Sequence, residues 1–271
     1  MRYYLFLILI YSVLGCVPES NDLEKPKNIE PLENSIDPQD RALKFLLDRW
    51  ALAFIEKIDS NYQASINFQL SDSTNQYHVN IQHQGFEVLP GFHPFPNFTF
   101  ESTLEHFNKI YQGEMTALTS MGQASSADPI PLVPNLLKPV KDNLVNDFLF
   151  FSQRFFNSTP YDLVKLGETH SRIVHGGHAI PIFYQKSDDI GVRSAWYQIN
   201  KGEQVNEIGD TNPFPQYFII NSGNGFAKIG SDTISIQANQ AYFIPPNSDH
   251  VFWNEKEDPL IMIFLAWGKG A

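Results

Sequence analysis

The histidines are the residues in this chain whose types and spacing most invite chemistry, because thiolate chemistry is all but absent. The 271 residues hold eight histidines and one cysteine. A lone thiolate rules out an internal disulfide, as well as the zinc-ribbon and iron–sulfur sites that need several thiolates at fixed spacing. His175 and His178 stand in His-Gly-Gly-His, a metal-like separation. The two glycines between them describe a flexible loop, so the expected reading is a glycine-rich entry to a barrel. The sequence holds no Ser-His-Asp order, phosphate loop or HExxH. Gly223-Asn224-Gly225 reads as a hairpin turn, since no helix follows it to cradle a phosphate. His250 remains, within Pro245-Pro246-Asn247-Ser248-Asp249-His250. An imidazole near its unperturbed pKa of about 6.5 can act as a base, a hydrogen-bond partner or a metal ligand.

The elements that must position such a residue follow from composition and pattern. Hydrophobic residues make up 42% of the chain, aromatics 14% and charged residues 18%, so there is ample apolar surface to bury. The length supports two modest domains. A formal net charge of -11 repels nucleic-acid phosphates, so DNA and RNA are not expected partners. The opening stretch has one cation, Arg2, and then an apolar run from Tyr3 to Leu14, too short for a membrane-spanning helix. Val13-Leu14-Gly15-Cys16 resembles the bacterial lipobox, in which cleavage precedes an acylated cysteine. The resemblance implies a signal peptide over 1–15, lipidation at Cys16 and a body held at a membrane of the bacterial envelope, facing periplasm or exterior. Residues 16–37, rich in Pro, Asn, Glu and Lys, read as a flexible tether.

Asp37-Pro38-Gln39-Asp40 is a helix start, and Leu43, Leu46, Leu47, Trp50, Phe54 and Ile58 form one apolar stripe. Alternation then takes over: Ile66, Phe68 and Leu70, a polar turn, then Tyr77, Val79 and Ile81, a hairpin. Gln84-Gly85 supplies a further turn before Phe86, Val88 and Leu89. Ser102-Thr103-Leu104-Glu105 reads as a capping box opening a helix that Gly113 ends. The order helix, strands, helix, and especially the stretch from Phe98 to Gln123, resembles the sterol carrier protein type 2 family over residues 38–140. That resemblance implies a five-stranded mixed sheet covered by helices around an apolar tunnel, and a lipid ligand. The aromatic stretch Gly91 to Phe98 is either a loop lining a pocket or a proline-stiffened connector.

Prolines and serines from Ala124 to Pro139 mark a boundary. A linking helix over 141–160 follows, with Leu144, Phe148, Phe151, Phe155 and Phe156 as an interdomain packing surface. Beyond Pro160, eight strand-length segments alternate with turns, which points to an all-β barrel or jelly roll over 161–271. Two places in it resemble the cupin superfamily. Gln216 to Gly225 matches the strand and glycine turn after the family's first metal motif, and Pro245 to Asn254 matches the second motif. Asn247 stands where glycine is usual and tolerates a left-handed backbone.

Metal-binding cupins place two histidines two apart, a glutamate four further on and a third histidine in the second motif. The resemblance puts these positions at Asp210, Asn212, Gln216 and His250, and only His250 agrees. Neutral amide oxygens are weak donors for transition metals, so no metal cofactor is expected, with His250, Asp210 and Gln216 the ligands if one is bound. Glu203 or Glu207 could reach the same place if the loop shifts. The expected architecture is thus an α+β sterol-carrier-like domain followed by a cupin barrel. The expected function is binding of a lipid or small amphipathic molecule, through His250, Gln216, Asp210 and Asn212 with Tyr217, Phe252 and Trp253 as walls. The alternatives are a cupin enzyme of dioxygenase, isomerase or lyase type, working through a divalent metal or His250 as base, and a structural envelope protein without ligand. A homodimer through the barrel is the partner the family implies.

Overall fold

The protein is described here by a computed structural model covering residues 37–82, 85–122, 129–136, 142–187 and 190–271. The signal segment, Cys16, nearly all of the tether, Gln84 and part of the proline-containing connector lie outside the described residues. The first elements are α1 (Pro38–Ile55), β1 (Ala64–Leu70), β2 (Gln76–Gln82), β3 (Gly85–Pro90) and β4 (Phe98–Ser102). After them come α2 (Leu104–Tyr111), a single turn α3 (Ala117–Ser120), β5 (Val133–Leu136) and α4 (Asp142–Arg154). Asp37 caps α1 by accepting from the Gln39 amide at 3.0 Å. The helix stops at Ile55, before the expected Ile58, because Asp59, Ser60 and Asn61 favour turns.

β1 to β5 form one sheet in the order β3-β2-β1-β4-β5. β1 and β4 run parallel and every other pair is antiparallel, so the sheet is mixed, as the resemblance implies. Two local expectations need correction. Thr103, not Ser102, is the N-cap of α2, accepting from the His106 amide at 3.1 Å, because the Ser102 hydroxyl at the end of β4 is spent on the Pro131 carbonyl. The connector also carries β5, whose Pro134 is tolerated because the strand lies at the sheet edge. The interior of this half is filled by rings. Trp50, Phe54, Phe68, Phe98, Phe100, Phe107, Phe151 and Phe155 are fully buried, and Phe151 stacks on Phe155 at 4.4 Å between centroids. α4 supplies several of the rings that fill that core. In the aromatic stretch, Asn67 clamps the His93 backbone and Phe95 stays 82% exposed, while His93 and Asn97 line an open cavity of about 390 Å³ beside β1 and β2.

The C-terminal half contains β6 (Arg172–Val174), β7 (Gly177–Ser187), β8 (Ile190–Ile199), β9 (Gln204–Val205) and β10 (Gln216–Ser222). It continues with β11 (Asn224–Ile229), β12 (Asp232–Gln237), β13 (Gln240–Ile244), β14 (His250–Trp253) and β15 (Leu260–Gly268). These build a six-stranded sheet, β13-β10-β15-β8-β7-β6, facing a four-stranded sheet, β12-β11-β14-β9. All eight expected strands are present; β6 and β9, three and two residues long, fall below what alternation can signal. The result is a β-rich, two-sheet barrel. Its core, with Phe218, Ile220, Ala227, Phe252 and Met262, is separate from the ring-filled core of the first half. Gln153 of α4 joins the halves: its Oε1 accepts from the Tyr184 amide at 2.8 Å and its Nε2 donates to the Tyr184 carbonyl. No helix among the described residues is long and apolar enough to cross a membrane.

Candidate functional site: a polar pocket in the barrel

Strand alternation decides which side chains enter the barrel. On β10, Gln216, Phe218 and Ile220 turn inward and are buried, so Tyr217 and Ile219 face out. On β8 the inward set is Arg193, Ala195 and Tyr197. Register sets Arg193 opposite Ala266 of β15, and Ala266 opposite Gln216, so the three form one row across the inner face. Arg193 and Gln216 therefore stand about 9.5 Å apart at the backbone, two interstrand spacings, with only a methyl group between them. His250 comes from the other sheet, where β14 begins, and meets Gln216 across the barrel.

The polar group around His250 is well defined. Its Nδ1 lies 3.0 Å from the Ser248 carbonyl, an acceptor, so Nδ1 carries the hydrogen. Nε2 is then the acceptor for the Gln216 amide at 3.0 Å and the Asn212 amide at 3.3 Å. Asn212 also donates to Gln216 Oε1 at 3.3 Å. Burial holds the His250 pKa below its ordinary value, against the Ser248 carbonyl and the charges of Asp210 and Asp249, so the ring is neutral at pH 7. The loop bearing Asn212 is fixed from below. Asn247, with φ of 61°, donates its amide to the Asn212 carbonyl at 2.6 Å, and Asp249 takes the Gly209 amide at 3.0 Å while pairing with Lys228.

A cavity of about 380 Å³ opens on these groups. Of the four residues singled out by sequence, Asn212, Gln216 and His250 converge. Asp210 does not join them; it is exposed at the mouth, its carboxylate accepting from the Glu207 amide at 2.8 Å. The expected walls need correction too. Tyr217 points outward, stacked with Trp267 at 5.8 Å, Trp253 stacks on Phe226 at 5.6 Å, and Phe252 is packed in the core against Phe218. The walls are instead Phe218, Phe264, Phe183, Tyr184 and Tyr197. Glu203 does not swing in: it accepts from the Asn200 amide at 2.7 Å and faces His178 at 3.9 Å, and Glu207 is exposed. His175 occupies the β6–β7 turn at φ of 55° and touches the cavity, while His178 turns away toward Glu168 at 3.6 Å, so the two do not form a pair. Among the described residues no group of three or more His, Cys, Asp or Glu is arranged to hold a metal ion.

Sequence reasoning missed Arg193 and Tyr197. Arg193 lies in the cavity wall with its guanidinium over the Phe214 ring at 4.6 Å. Burial raises the Tyr197 phenol above its ordinary value, opposed by the Arg193 charge. The usable signal was that Arg193, Ala195 and Tyr197 share one strand face. It was obscured because Trp196, on the other face, is equally apolar and buried. A second cavity of about 630 Å³ lies between α2, α3, α4, the segment after α4 and β7, with apolar walls from Tyr111, Met115, Leu118, Phe156 and Leu163.

Fold and site together define a two-sheet β-barrel with an internal polar-ended pocket, fused to an aromatic-cored α+β half. No protein-family profile and no curated protein matches the chain. The solved structures to which it is similar include a cupin 2 conserved barrel domain protein from Salinispora arenicola CNS-205, with 15% identity and a TM-score of 0.35, covering 41% of this chain and 90% of that one. They also include the plu4264 protein from Photorhabdus luminescens, with 14% identity and a TM-score of 0.34, covering 40% of this chain and 88% of that one. A third is an RmlC-like cupin from Shewanella frigidimarina NCIMB 400, with 15% identity and a TM-score of 0.30, covering 37% of this chain and 83% of that one.

Proposed function

We propose that this protein is a receptor for a small amphipathic molecule, held in the barrel pocket and not turned over. The carrying observation is the cavity of about 380 Å³, lined in part by Phe183, Tyr197, Phe218 and Phe264 and closed by three convergent neutral polar side chains. Its size and lining are those of a ligand site at the small end of the usual range. The rival reading, with His250 as a general base, asks for an imidazole lone pair free to take a proton. That lone pair already accepts from Gln216 and Asn212. The cupin assignment rests on the two-sheet barrel and on the Pro245 to Asn254 segment, in which Asn247 adopts the left-handed turn that a glycine would.

In the same reading the sterol-carrier-like half, supported by its mixed five-stranded sheet and covering helices, offers a lipid the larger cleft beside α4. Acylated Cys16 would keep both cavities close to a bilayer, at high effective concentration over their ligand source. The test is native mass spectrometry of the full chain purified from membranes in mild detergent, followed by a screen of small molecules for thermal stabilisation. A bound or stabilising compound that is recovered unchanged and loses its effect in Gln216→Leu supports the receptor. Catalytic conversion of the compound transfers the site to the enzyme class, and an empty protein that nothing stabilises leaves the structural role.

A further inference from the structure

The barrel pocket carries a charge that the His250 group does not use. Arg193 is the only Arg or Lys among the residues lining the cavity. Its guanidinium sits 4.6 Å from the Phe214 ring centroid, with Phe264 at 5.8 Å and Tyr184 at 5.9 Å. The Nε atom is buried without a hydrogen-bond partner, and among the described residues no carboxylate forms an ion pair with this arginine. Stacked rings position a guanidinium and shield it from water, but they do not supply the planar acceptor that its fork of donors matches. A half-buried guanidinium whose Nε lacks a partner leaves donors that an arriving anion can satisfy. The nearest acid in the lining, Asp210, is at the mouth and exposed.

We propose that the pocket selects a singly charged organic carboxylate, its head group on Arg193 and a hydroxyl or carbonyl at its far end on the Gln216–Asn212–His250 group. The inference rests on the receptor reading of the barrel and names the ligand class. One row of the inner sheet carries both ends of the site, Arg193 and Gln216, with the small Ala266 side chain leaving the space between them open. The aromatic walls Phe218, Phe264 and Tyr197 suit a flat or branched body. A phosphate ester shares the oxyanion chemistry but brings up to two charges to a single arginine with Asp210 at the entrance, so the carboxylate is the better match.

The test uses the full-length chain and matched probes, 4-hydroxybenzoate against 4-hydroxybenzamide, with phenyl phosphate as the third arm. Binding is read by calorimetry or by probe fluorescence at two salt concentrations. The acid is expected to bind at least about tenfold more tightly than the amide, and more weakly as salt rises. In Arg193→Gln the preference should fall to about twofold or less, and Arg193→Lys should restore part of it. The acid-to-amide comparison on the unaltered protein needs no variant, so a misfolded substitution does not rescue the idea. Equal binding of acid and amide overturns the carboxylate while leaving the receptor intact. Tighter binding of phenyl phosphate, or a preference that survives Arg193→Gln, also overturns it. Failure of all three probes to bind at millimolar concentration counts against the receptor reading as well.

Discussion

If the amide pair around His250 occupies the metal-ligand positions of a barrel of this kind, two substitutions should turn it into a metal centre. The perturbation is Asn212→His with Gln216→Glu, which leaves His250 in place and supplies two imidazoles and one carboxylate. Metal bonds of about 2.1 Å to nitrogen and oxygen put neighbouring donors about 3.0–3.4 Å apart. The present Gln216 and Asn212 nitrogens already stand 3.0 and 3.3 Å from His250 Nε2, so the donor spacing is built into the backbone. Without metal the double variant should be less stable by about 1–3 kcal/mol, because an amide hydrogen-bonded inside the barrel becomes a buried carboxylate. With Co²⁺ or Zn²⁺ at about a hundredfold excess over Kd, linkage adds about 2.7 kcal/mol. For a folded unit of this size that is a rise of roughly 5–11 °C in the midpoint of thermal unfolding. Scanning calorimetry with and without metal measures it, and the visible absorption of bound Co²⁺ reports coordination directly. The unaltered protein should shift by less than about 1 °C under the same conditions. A folded double variant that neither shifts nor retains cobalt would refute the convergence described for these three positions.

Acid should weaken the first half through His106, whose pKa burial pushes down to about 4, with Lys109 and Arg172 adding to the effect. Both folded and unfolded states are neutral at this position above pH 6.5, so stability there is complete; between 6.5 and about 4 the unfolded chain takes the proton first and stability falls. Discounted for partial solvent access, the loss is on the order of 1–2 kcal/mol. Urea unfolding across that window, compared with His106→Gln, which keeps a donor toward Ser120, measures it; an unchanged pH slope in the variant contradicts the assignment. At Asn247 the left-handed backbone predicts a sharp contrast: Asn247→Gly should stay within about 0.5 kcal/mol, while Asn247→Val should cost about 1–3 kcal/mol. Equal midpoints in chemical denaturation for the two variants would show that the turn does not hold that conformation.

Much of the fold can be read in the sequence because its burial is periodic. The α1 stripe from Leu43 to Phe54 and the alternation along β10 each obey one period and face one core. Where the signal fails, a second demand acts on the same residues. Pro134 looks like a breaker until an edge position makes its missing amide irrelevant, and Ser102 looks like a helix cap until Pro131 claims its hydroxyl. In the site, the structure brings together Asn212, Gln216 and His250, three of the four polar positions that the sequence picks out. Tyr217 and Trp253 are not walls because adjacent residues on a strand face opposite ways, and Arg193 went unnoticed because an arginine in a strand ordinarily reads as solvent-facing.

The Gln153 bridge has a bearing on how such a protein can be built or taken apart. A side-chain amide from a helix completes the main-chain hydrogen bonding of Tyr184 much as a neighbouring strand would, at a place where β7 is interrupted by a bulge. A barrel excised from its partner half would present bare peptide groups there, an invitation to foreign strands and a seed for association. The barrel is thus not a freely transferable cassette, and recombination that swapped it into another context would have to bring a substitute for one glutamine.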